Sequence, residues 1–136
     1  MLFIRTVLGI TLGLFIGVVV NGSMVQLGTV LFPFPPEVNF DTSSGMQAFH
    51  DLPVHFYIFP FLAHAIGTLS GCITAIIILR KQGKWVVYSI GYLFFVAGII
   101  AVDLINAPVW FDILDLSLAY LPMAWLSMQS RIAKKS

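Results

Sequence analysis

A chain of 136 residues that is 59% hydrophobic and 10% charged, with a mean hydropathy of +0.96, has the composition of an integral membrane protein and not of a soluble domain. Its net charge of +1, with no basic block before the last residues, offers nothing to nucleic acid. The single cysteine, Cys72, excludes a disulfide framework, a paired-thiol redox centre and a thiolate zinc site, and reads as a small packing residue.

The first apolar run, about 3–31 with Arg5 near its start, resembles the apolar region of a signal peptide. It is too long for one and is expected to be retained as a helix that crosses roughly 30 Å of hydrocarbon. Within it "GITLGLFIG" places Gly9, Gly13 and Gly17 on one stripe that continues to Asn21. The segment "FPFPPEVNFDTSSGMQAFHDL", residues 32–52, follows. Pro33, Pro35 and Pro36 should keep its start extended, and Asp41 or Thr42 can cap a short helix with Met46, Phe49 and Leu52 on one face. Such a segment lies in the interface, either as a lid or as a loop anchored by Phe32, Phe34 and Phe40.

The second run, 53–79, carries Ala63, Gly67, Gly71 and Ala75 in register, so it can meet the first run backbone to backbone. Three spaced glycines on the first helix exceed what one contact requires, which leaves room for a second copy of the chain or another membrane subunit as partner, beside the lipid bilayer itself. The third run, 85–106, ends in the tight turn "NAP", and the fourth, 108–128, completes an all-α bundle of four transmembrane helices in a single domain. Both "PVHFYIFPFLAHAIG" and "PVWFDILDLSLAYLP" open with Pro-Val-x-Phe, a faint repeat in which proline starts a helix. Arg5, Arg80, Lys81, Lys84, Arg131, Lys134 and Lys135 fall on one side of the four spans, while Glu37, Asp41 and Asp51 fall on the other. Both termini are therefore expected in the cytoplasm.

At about 1.5 Å of rise per residue, depth can be assigned to each intramembrane polar group. Asp112 lies about one turn below the outer surface, Asp115 about two, and His64 about three, with Asn21 at a similar depth. Asp103, Asn106 and His55 sit near the outer rim, and the inner half offers only hydroxyls such as Thr74 and Ser89. The stripes Asp112–Asp115–Ala119–Pro122 and Tyr92–Val96–Ile99–Asp103–Asn106 are expected to face inward, forming a polar pocket of Asn21, His64, Asp103, Asn106, Asp112 and Asp115 open to the extracytoplasmic side. Ionisable groups in a membrane span are functional candidates because inserting one costs at least about 2.5–3.5 kcal/mol. Asp115 is expected to be held neutral or paired with protonated His64 or a bound cation, as the switchable member, while Asp112 stays ionised and draws cations to the mouth. His50 and His55 are expected to meet water or headgroups, and Tyr57, Trp85 and Trp110 to form an aromatic belt.

His55, His64, Asp103, Asp112 and Asp115 are chemically able to ligate a metal, but their spacing matches no metal motif, and no cofactor is indicated. A catalytic serine motif, a phosphate loop and a dinucleotide fingerprint are absent from the sequence. "LAHAIGTLSG" together with "PVWFDILDLSLAYLPMAWL" resembles small uncharacterised four-helix bacterial inner-membrane proteins over most of 53–128. That resemblance implies the topology and no activity. Small multidrug transporters are similar in size but use an acidic residue in the first helix, where this chain has Asn21. Three functional readings follow: a non-catalytic bundle subunit or interaction protein, a binding or transport component for a small polar or cationic solute, and a membrane-embedded metal or acid/base enzyme.

Overall fold

The computed structural model describes residues 2–79 and 83–130. Every regular element among them is helical: α1 (Leu2–Leu31), α2 (Ser43–His50), a 3-10 turn (Val54–Tyr57), α3 (Ile58–Leu79), α4 (Lys84–Ile105), α5 (Val109–Leu118) and α6 (Leu121–Gln129). Four spans are long and apolar enough to cross a membrane, at Leu2–Leu31, Val54–Leu79, Lys84–Ile105 and Val109–Gln129, so the protein is a multi-pass membrane bundle. Arg80, Lys81, Arg131, Lys134 and Lys135, on which part of the orientation rests, lie outside the described residues.

α1 has no proline and runs unbroken, yet the residues it buries are Gly9, Gly13, Gly17 and Gly28 alone. It joins the bundle by its glycine edge and leaves most of its large side chains exposed on the other faces, with Leu14 packed on the core. A Cβ on Gly13 would lie 2.8 Å from the Gly71 carbonyl oxygen, and one on Gly71 would lie 2.6 Å from that of Gly13. Gly17 and Gly67 make the same reciprocal approach at 2.9 Å, while Gly9 receives Leu79 and Gly28 receives the Phe59 ring. Gly9, Gly13, Gly17 and Gly28 of α1 are thus all engaged within the chain. Close backbone contact is what holds two helices together where lipid removes the hydrophobic drive.

α3 is the central helix, packed against α1, α4 and α6, and its buried residues are mostly small. Toward its C-terminal half, Cys72, Ala75, Ile76 and Leu79 form one closed core with Val87, Ile90 and Ala124. The opposite half of the bundle is capped by residues 32–53. Thr42 caps α2 by accepting the Gly45 amide at 3.1 Å, and Phe49 is 3% exposed against Tyr57, Ala107 and Phe111. Tyr57 is not a belt residue: it is 2% exposed and its hydroxyl donates to the carbonyls of Phe49 (2.5 Å) and His50 (3.0 Å), tying α2 to the start of α3. His50 is likewise half-buried, with Nδ1 enclosed and lacking a hydrogen-bond partner. Trp85 and Trp110 are exposed, at 81% and 46%.

The two Pro-Val-x-Phe segments start alike, with Pro53 and Pro108 in extended caps (ψ 151° and 140°). Asn106 closes α4 in the left-handed conformation, φ 54°, which asparagine tolerates better than any other residue with a β-carbon. The fourth span is two helices and not one. Pro122 has no amide hydrogen and its ring would clash with the carbonyl of Leu118, so the chain breaks at Tyr120, φ −119° and ψ −81°. That break turns Tyr120 into the bundle, where its ring lies against Gly98 and it is 2% exposed.

Candidate functional site

Asp115 is 5% exposed and fully engaged. Its carboxylate oxygens lie 2.9 and 2.8 Å from His64 Nδ1, and the Tyr120 hydroxyl donates to Oδ2 at 2.9 Å. An ionised carboxylate can only accept, so the imidazole donates to it from Nδ1, and the His64 side chain also lines two cavities. The Tyr120 ring stacks on the His64 ring at 5.7 Å, fixing the imidazole from one face. Helix geometry explains the meeting. Ala65, Ala119 and Tyr120 form one buried cluster where α3 meets the end of α5, and the chain break at Tyr120 aims its hydroxyl back at Asp115, five residues earlier.

Two cavities meet at this cluster. The larger, about 410 Å³, is lined by His64, Asp112 and Asp115, by the rings of Phe34, Phe40, Phe49 and Phe111, and by Val25 of α1 and Gly98, Ala101 and Leu104 of α4. The smaller, about 190 Å³, is lined by Val18, Asn21, His64, Phe94, Ala97, Gly98, Ala101 and Tyr120. His64, Gly98 and Ala101 belong to both. One wall of each is α1 and the other is α4, two helices that lean on α3 and touch each other little. Val18, Val25, Ala97 and Leu104 are exposed along this seam. The result is a cleft between α1 and α4, floored by α3 and α5, roofed by the aromatic side chains of the cap, and closed below by the core around Cys72.

Of the residues singled out in the sequence, the structure brings together His64, Asp112 and Asp115 in the larger cavity and Asn21 in the smaller. Asp103 and Asn106 do not join them. Both are exposed, as are Tyr92 and Ile99 of the same stripe, so that stripe faces outward and Asn106 serves the turn. The reason is steric: α4 turns its small residues inward, Gly91 to take Ala124 and Gly98 to take Tyr120. The half-buried Asp112 carboxylate makes no hydrogen bond or ion pair among the described residues. His55 stands apart at the cap, exposed and against the rings of Phe32 and Phe56 at 5.6 and 4.4 Å. Among the described residues no three His, Cys, Asp or Glu side chains converge in a way that could hold a metal ion.

Sequence reasoning missed Tyr120. Its signal was the "AYLP" tetrapeptide, in which a proline two residues downstream forces the turn that a continuous helix would not make. The stretch combines an oriented imidazole, a satisfied carboxylate, a second carboxylate with no partner and an aromatic enclosure, which suits recognition of a small molecule. No family model, curated protein or solved structure matches this chain.

Proposed function

We propose that this protein is a non-catalytic membrane binding protein whose cleft takes up a small amphipathic molecule from the bilayer. The observation that carries the reading is the cavity of about 410 Å³ whose walls are aromatic and aliphatic and whose polar groups, His64, Asp112 and Asp115, come from only two helices. Ligand pockets typically hold roughly 300–1,000 Å³ and join an apolar lining to a few converging polar groups. The seam between α1 and α4 favours a route from the lipid over one through the cap, because Phe34 and Phe49 pack edge to face at 5.7 Å over the outer end. With both termini in the cytoplasm, the cleft belongs to the outer half of the membrane. Reporter fusions at Lys84 should then read cytoplasmic and those within 42–45 extracytoplasmic, and the reverse pattern would place the cleft in the inner leaflet.

Ala101 lines both cavities, and tryptophan there would fill the space they share. In nanodiscs, the radiolabelled neutral probe 1-neopentylnaphthalene should bind the unmodified protein saturably above empty discs. Ala101→Trp should weaken that binding by at least about tenfold while leaving the melting temperature within a few degrees. Binding that survives the substitution would overturn the cleft as a ligand site, as would saturable binding by neither this probe nor a charged molecule of the same shape.

A further inference from the structure

We infer that the ligand is a lipophilic organic cation, a protonated or quaternary amine on a compact apolar body, with Asp112 as its counter-charge. This rests on the cleft being a binding site and adds the sign of the charge it accepts. Asp115 already accepts from His64 Nδ1 and the Tyr120 hydroxyl. The Asp112 side chain, which lines the same cavity, has no hydrogen bond or ion pair among the described residues. A carboxylate held beside aromatic walls attracts a cation more strongly than one in open water, because the surrounding dielectric is lower.

The described lysine and arginine side chains cannot serve it. Arg5 and Lys84 stand at the start of α1 and the start of α4, at the end of the bundle where Gly9 meets Leu79 and the Cys72 thiol reaches the Val87 carbonyl. The cavity lies at the other end, beneath the cap. His50 lies close enough to act on the Asp112 charge, but its Nδ1 is enclosed and it is not among the residues that line the cavity. The rings of Phe34, Phe40, Phe49 and Phe111 complete the case, since the negative faces of aromatic rings attract ammonium groups and repel anions. An anionic ligand would meet Asp112 and Asp115 together with no lysine or arginine among the lining residues and with the one lining imidazole, His64, already turned to Asp115, and a neutral one would leave the Asp112 carboxylate without a hydrogen bond.

Two probes of one shape isolate the charge: (1-naphthylmethyl)trimethylammonium and its uncharged isostere, 1-neopentylnaphthalene. Binding to nanodiscs of neutral lipid is measured for each at about pH 8, where an ordinary imidazole is uncharged. The unmodified protein should prefer the cation by about tenfold or more, a preference that Asp112→Asn should abolish while leaving binding of the neutral probe in place. Asp112→Glu should restore most of it, which a merely structural role for Asp112 would not predict. Equal binding of the two probes, or a preference that persists in Asp112→Asn, overturns the cation assignment and leaves the cleft standing as a neutral site. Absence of saturable binding by either probe overturns the cleft reading and the cation with it.

Discussion

Gly13→Leu is expected to disassemble the bundle, because the substitution drives a side chain into backbone and not into space that can relax. A Cβ at this position would already be 2.8 Å from the Gly71 carbonyl oxygen and 2.8 Å from Ile90 Cδ1. Overpacking an ordinary core costs about 1–3 kcal/mol, and here the obstructing atom belongs to a helix that cannot move without losing its own contacts to α4 and α6. The loss should exceed about 3 kcal/mol in reversible denaturant unfolding in mixed micelles. Gly22→Leu is the matched control on the same helix, since a Cβ there has nothing within 4 Å. It should leave stability within about 0.5 kcal/mol or raise it slightly, because leucine is the better helix former. Similar losses in the two variants would mean that α1 is held by something other than its glycine edge.

Asp115→Leu is the second large effect, expected to cost about 2–4 kcal/mol in the same assay. The substituted side chain is nearly isosteric, so the penalty arises from what it abandons: the Tyr120 hydroxyl and His64 Nδ1 lose their shared acceptor inside the bundle. Tyr120→Phe removes one donor and leaves Asp115 held by His64, so it should cost only about 1 kcal/mol. The double variant Asp115→Leu with Tyr120→Phe should therefore be less destabilised than the two single effects combined, by about 1 kcal/mol. Strict additivity would show that the hydroxyl and carboxylate do not act on one another. Asp115→Asn keeps one acceptor oxygen and should fall between the unmodified protein and the leucine variant.

These two results divide what the chain states openly from what it states only once folded. The four spans are legible because crossing hydrocarbon demands roughly 20 apolar residues, and that demand is local to each run. A short helix capped at Asp41 or Thr42, and the meeting of the glycine stripes of the first two runs, are legible for the same reason, since each rests on a spacing within one segment; the start of the segment before it, expected extended, instead turns at 35–38. His64, Asp112 and Asp115 stand out as ionisable groups at depths where charge is costly.

What periodicity does not contain is the rotation of one helix about its axis against its neighbours. The stripe ending in Asp103 and Asn106 is as regular as the one that carries Gly91 and Gly98, and a sequence read helix by helix has no means to choose between them. The choice is made across the bundle, where Ala124 and Tyr120 each require a glycine opposite them. The same non-local fit breaks the last span at Tyr120, brings its hydroxyl to Asp115, and leaves a cleft between α1 and α4 beside the points where Gly13 and Gly17 receive Ile90 and Phe94. Composition and spacing by themselves determined a four-span membrane bundle with ionisable groups buried in it. Only tertiary packing decided which of those groups share a cavity, because steric complementarity between distant residues, and not hydropathy, sets how each helix is turned.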